Sequence, residues 1–138
     1  MIKNRLILTG LIVGLLILIC LIWIFSRPLQ TQYLMRTINR NLIASEYSGR
    51  LASPLDKPKG NFNLLGYWYS IVDSSDTMFV FTVFNDGILI PYGARISVTG
   101  EVMEIMPLSF HARQVHENIP ESFIRIYKQR IEAGVQPR

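Results

Sequence analysis

The 138-residue chain holds one cysteine, Cys20, and it lies inside an apolar run, so no internal disulfide can staple the rest of the chain. The sequence also lacks a Gly-rich phosphate loop, a nucleophile motif, internal repeats and low-complexity tracts. Its two histidines, His111 and His116, are five residues apart, which suits neither an i, i+4 helical pair nor an alternating pair on one strand face. Carboxylates are scattered as well. Asp73 and Asp76 sit in a turn-like stretch and Glu101 on the polar side of an alternating segment. None is embedded in an apolar pattern that would raise its pKa for acid–base work. The expectation is a protein that is not an enzyme and holds no resident metal or cofactor.

Basic charge is scarce where a nucleic acid would need it. The formal net charge is +4, but Lys3, Arg5 and Arg27 flank the apolar run and supply three of those charges. Residues 60–110 hold Arg95 alone against Asp73, Asp76, Asp86, Glu101 and Glu104. That distribution argues against nucleic acid as a partner.

What the chain has in plenty is a hydrophobic run. Leu6 to Phe25 is twenty residues without a charge, fifteen of them Leu, Ile, Val or Phe. As a helix it is roughly 30 Å long, the thickness of a bilayer's hydrocarbon core. It shows no polar face, which a core helix of a soluble domain would have. The run is longer than a signal-peptide core, and Phe25-Ser26-Arg27-Pro28 offers no small-x-small cleavage site. Ile19 stands where a lipoprotein signal would need a small residue before Cys20. The pattern predicts an uncleaved single-pass signal-anchor, a transmembrane helix over 6–25 after a tail of residues 1–5. The short basic tail predicts the N-terminus inside and the domain on the extracytoplasmic side. Gly10 and Gly14 form GxxxG, which predicts close pairing with another transmembrane helix, a second copy's or another protein's.

Downstream, Leu34, Ile38 and Leu42 fall at helical spacing and predict a juxtamembrane helix over 28–47. Gly49 to Asn61, with two prolines and two glycines, reads as loop and gives a linker over 48–61. Five short strands come next over 62–115: Phe62 to Val72, Thr77 to Phe84, Ile88 to Ile90, Ala94 to Glu104 and Ser109 to Val115. The second is apolar on both faces, so its outer side chains (Met78, Val80, Phe84 or their alternates) need cover from a helix or a partner. Asn85-Asp86-Gly87 marks a tight hairpin, since Asp-Gly tolerates positive φ. Pro120, Glu121 and an apolar stripe of Phe123, Tyr127 and Ile131 predict a C-terminal helix over 118–134, stopped near Gly134.

The fold class expected is α+β: a transmembrane helix, then a small five-stranded OB-like β-barrel flanked by the juxtamembrane and C-terminal helices. Gly66 inside the first strand, Gly93-x-x-Ile96-x-Val98-x-Gly100-x-Val102 in the fourth and Phe110-x-Ala112-x-x-Val115 in the fifth together resemble the OB-fold pattern. The layout of anchor, linker, OB barrel and C-terminal tail is similar to the cytochrome c maturation haem chaperones. Their fifth strand is followed by a His-Asp-Glu-Asn-Tyr segment whose histidine attaches haem. Here His116, Glu117 and Asn118 resemble that segment, the Asp is absent, and Ile119 stands in place of the Tyr. The resemblance implies His116 as a cofactor-binding residue for haem and a carrier of haem or another small ligand as the alternative function.

From the residues themselves the leading expectation is a membrane-anchored binding module that presents its β-domain to a protein partner. Exposed aromatics on such a domain serve docking, and Tyr67, Tyr69 and Tyr92 are the candidate partner-binding residues.

Overall fold

The computed structural model describes residues 2–44, 49–58 and 62–135. Residues 45–47 of the expected juxtamembrane helix, and 48 and 59–61 of the expected linker, lie outside them. The elements are α1 (Ile2–Ala44), β1 (Leu51–Leu55), β2 (Gly66–Ile71), β3 (Thr77–Asn85), β4 (Ile88–Ile96), β5 (Val102–Pro107), α2 (Phe110–His116) and α3 (Glu121–Val135). The chain divides into two compact units, Met1–Tyr33 and Leu34–Arg138.

The first unit is the N-terminal part of α1. By length and composition α1 is the one helix among the described residues able to cross a membrane. Its hydroxyls are satisfied within the helix: Thr9 Oγ1 donates to Arg5 O at 2.8 Å and Ser26 Oγ to Trp23 O at 3.1 Å. That self-sufficiency is what a lipid environment requires. The Arg27 guanidinium lies 3.9 Å from the centre of the Trp23 ring, a cation–π pair of the residue types found at bilayer interfaces. Pro28 sits inside α1, so the expected separate juxtamembrane helix is instead the C-terminal part of one helix.

In the second unit the five strands form an antiparallel meander in the order β1-β2-β3-β4-β5. β1 and β5 are edges, and the sheet does not close; the expected OB-like barrel is therefore not supported. Ala94 to Glu104, read as one strand, breaks at a turn in which Gly100 N donates to Ser97 O, so β4 ends at Ile96 and β5 begins at Val102. Other strand boundaries differ from expectation for local reasons too. Leu51–Leu55, read as linker, is an edge strand, where Pro54 is tolerated. The Asn39 side chain holds its first residue from the helix side, accepting from Leu51 N at 2.7 Å and donating to Leu51 O at 3.0 Å. Ile88 to Ile96 is one strand across Pro91, because Leu108 N donates to Pro91 O at 3.0 Å. The side of Pro91 that lacks a donor thus faces the point where β5 has already ended. Ser109 to Val115, read as a strand, is helical: Ser109 Oγ accepts from Ala112 N at 3.0 Å and caps α2.

β3 is the centre of both cores. On one face Phe79, Phe81 and Val83 join Trp68, Ile90, Tyr92 and Ala94, and α2 and α3 cover them through Ala112 and Ile131. Phe62 meets Trp68 and Phe79 edge-on at 5.0 and 4.8 Å, and Tyr127 stacks on Phe81 at 5.5 Å. On the other face Met78 and Val80 join Tyr69, Ile71, Leu51, Met106 and Leu108, and the end of α1 covers them through Ile38 and Leu42. The α/β/α layering answers the two-sided apolar pattern of β3.

The hairpin between β3 and β4 turns through Asp86 and Gly87 at φ 48° and 80°, the positive pair that the Asn-Asp-Gly signal announces. At Gly66 the constraint is space: a Cβ there would overlap the Val80 carbonyl oxygen and lie 2.6 Å from the Phe79 ring. Gly66→Ala is therefore expected to destabilise the protein by about 1–3 kcal/mol. Gly10→Ala, whose Cβ meets nothing within 4 Å, should leave stability unchanged. Thermal unfolding of the full chain in detergent reads both, and equal midpoints for the two variants would contradict the packing described.

Candidate functional site

A concavity lies along β5, where the edge strand faces α3. Val102, Met103, Glu104 and Ile105 form one wall of a cleft of about 620 Å³. Glu121, Ile124, Arg125 and Lys128 form the other, one stripe at helical spacing along α3. The α2–α3 corner closes one end with His116, Glu117 and Ile119. α3 begins at Glu121, three residues later than the expected 118, with Pro120 just ahead of it and the acid Glu121 in its first turn.

Within this cleft His116 is held from behind. It is the last residue of α2, and its Nδ1 lies 2.9 Å from the Tyr92 hydroxyl. The hydroxyl can donate to a neutral imidazole or accept from an Nδ1–H, so the ring is oriented in either tautomer and Nε2 is the nitrogen left for the cleft. Burial raises the Tyr92 pKa above the ordinary phenol value of 10.0, so this partner stays protonated.

The candidate residues read from sequence separate. Tyr67 is 46% exposed and available to a partner, whereas Tyr69 and Tyr92 are fully buried and present no ring to one. Alternation explains the difference only in part. Tyr69 and Tyr67 share a face, but Tyr69 pairs with Met78 under the end of α1 while Tyr67 pairs with Val80 at the margin of that cover. Tyr92 lies on the opposite face among Phe81, Tyr127 and His116. Gly10 and Gly14 lie on open helix surface. Asp76, expected in a turn, receives the Arg95 guanidinium at 2.7 Å. Among the described residues no three His, Cys, Asp or Glu side chains gather as metal ligands.

Two surfaces are hidden in the sequence. The cleft depends on α2, whose helical state hangs on the Ser109 cap. The second is the uncovered end of the β3–β4 hairpin, where Phe84 and its cross-strand partner Leu89 are 68% and 66% exposed. The two-sided pattern of β3 is the signal for it. Comparison with protein-family models, with curated proteins and with solved structures gives no match to this chain.

Burial, with Tyr67 as a second contribution, pushes the Tyr69 pKa from 10.0 up to about 12. Both Tyr69 and Tyr92 bind their protons more tightly folded than unfolded, so the stability they contribute is complete below pH 10, and the share of Tyr69 is lost as pH rises toward about 12. Alkaline unfolding should fall in that window and be less steep in Tyr69→Phe. Phenolate absorbance during the titration checks it, and ionisation of all six tyrosines near pH 10 with the fold intact would refute it.

Proposed function

We propose that this chain is a single-pass, membrane-anchored, non-enzymatic binding module that presents its β-sheet to a protein partner at the membrane surface. One observation carries the reading: the end of α1 covers its face of the sheet only in part. Ile38 and Leu42 bury Met78 and Val80, but farther along β3 the side chains of Thr82 and Phe84 are exposed, as is Leu89 beside Phe84. With Tyr67 at the margin, this gives an aromatic and aliphatic face of the composition that protein interfaces use. Asp86 at the hairpin tip argues for a protein partner and against insertion of the tip into lipid, where a carboxylate is costly.

The apolar helix supports the bilayer as the anchor's environment. The basic tail before it supports an inward N-terminus and an extracytoplasmic domain, and the Gly10–Gly14 spacing supports pairing between transmembrane helices.

A second reading, a carrier of haem or a related small ligand, rests on the Tyr92–His116 pair. The hydroxyl orients the ring as an outer-shell partner would, with Nε2 left for a ligand. Under that reading the full chain gives a Soret band with added hemin, and His116→Ala abolishes it. A spectrum unchanged by hemin rejects the carrier.

For the leading reading, Phe84→Asp and Leu89→Asp should each weaken capture of the partner by about tenfold or more, the effect of losing an interface anchor. Both positions are exposed, so the melting point should stay within the range of surface substitutions, roughly 0.5 kcal/mol. Photo-crosslinking from position 89 in intact membranes identifies the partner. A chain that crosslinks to nothing there, in both wild-type and variant cells, would sink the docking face. A reporter fused after Arg138 tests the orientation separately, with activity expected only in its extracytoplasmic form.

A further inference from the structure

One wall of the cleft is a backbone edge, and the ladder register shows what it offers. β5 is the last strand of the sheet, so among the described residues one of its sides has no neighbouring strand. The Leu108 N to Pro91 O bond turns residues 104 and 106 toward β4 and, by alternation, turns Ile105 and Pro107 away from it. Ile105 therefore directs one N–H and one C=O out of the ladder, and Pro107 a C=O alone. The Val102 N–H is held by Glu132 Oε1 at 3.1 Å and marks one end of the available edge. Ile105 is partly buried against the core on the cleft side; Glu104, the next residue back, stands across the ladder from Arg95 on the other face.

The facing wall is graded in charge. Glu132 beside Val102 and Val135 beside Gly100 put the end of α3 at the Val102 end of β5, and its start follows the end of α2, where His116 meets Tyr92 opposite Pro107, so α3 runs antiparallel to β5. Glu117 and Glu121 consequently stand at the Pro107 end of the cleft and Lys128 toward the Val102 end, with Arg125 one turn before it. Ile105, Ile119 and Ile124 lie between.

A strand edge beside a helix stripe is the arrangement in which an extended peptide adds to a sheet, its main chain bonding the edge and its alternate side chains entering the groove. A peptide antiparallel to β5 runs from the Pro107 end to the Val102 end. Its own positive N-terminus then meets the glutamates, and its negative C-terminus meets Arg125 and Lys128. The parallel direction reverses both matches. The six residues of β5 span roughly 20 Å, which sets the peptide at about six residues.

We infer that this cleft binds an extended peptide as a sixth strand, antiparallel to β5, with a basic group at Glu117 and Glu121, apolar side chains against Ile105, Ile119 and Ile124, and an acidic group at Arg125 and Lys128. This goes beyond the docking of the Phe84 face, and either surface can fail without the other.

The test uses the full chain in lipid nanodiscs and the anisotropy of labelled peptides with lysine first, alternating valine and threonine, and aspartate last. Saturable binding is expected, about tenfold or more weaker when the two charged residues are exchanged. N-methylation of one alternate set of peptide residues should abolish binding, while methylation of the other set is tolerated. The double variant Glu121→Lys/Arg125→Glu should invert the charge preference, a result that misfolding cannot imitate. Equal binding of the two charge orders, or indifference to N-methylation of either set, overturns the inference. So does absence of peptide binding by a chain that still captures its partner through Phe84. In a Cys20→Ser background, a Met103→Cys crosslink between two copies that peptide does not compete away gives the edge to a second copy and overturns it as well.

Discussion

A strand that is apolar on both faces has to be covered twice. β3 imposes that requirement, and the second unit is arranged to meet it. Its odd-numbered side chains Phe79, Phe81 and Val83 gather the aromatic cluster beneath α2 and α3. Its even-numbered Met78 and Val80 gather the smaller cluster beneath the end of α1. The two covers come from opposite ends of the chain, so the sheet lies between a layer from the end of α1 and a layer from α2 and α3. Where either cover stops short, β3 and its neighbours expose what the pattern would otherwise bury, and Phe84 beside Leu89 is that place.

The prolines of the sheet show a related economy. Pro54 lies in one edge strand and Pro107 in the other, and Pro91 lies in an inner strand with its donorless side beyond the end of β5. Each sits where a missing N–H breaks no ladder bond or only a terminal one. On β5 the consequence is selective. Pro107 and the Glu132-capped Val102 limit the open edge to a short stretch around Ile105, so the edge is less able to template unregulated pairing than a long bare strand would be.

Much of this fold was legible where the periodicity was strong. An uncharged run of twenty residues can hardly be other than a helix in lipid or in a large core. The cores of β2 and β3, the Asp86-Gly87 turn and the stripe of α3 follow directly from alternation, turn chemistry and helical spacing. The misses share a cause: single polar atoms decided them against the pattern. Ser109 Oγ turned an alternating segment into α2, and the Asn39 amide gave β1 a bonded neighbour that the linker composition concealed. Ser97 did the same at the β4–β5 turn, where Gly100 N donates to Ser97 O and Gly100 takes φ 85°, although Val98 and Thr99 look strand-forming. The OB reading required the last strand to return to the first, and no periodicity reports which strands end as edges. Of the candidate site, His116 was legible as a residue; the Tyr92 hydroxyl behind it and the cleft in front of it were not, since both arise from tertiary packing of α2.

Leu34 to Leu42 belongs to α1 and to the core of the second unit at once. A protease that released this protein from a membrane would therefore have to cut upstream of Leu34. A cut farther along would carry off Ile38, Leu42 and the Asn39 clamp, and would lay bare Met78, Val80 and Tyr69 to water. The product would be a sheet missing one of its two layers, so only a cut ahead of Leu34 leaves the folded unit with both of its covers.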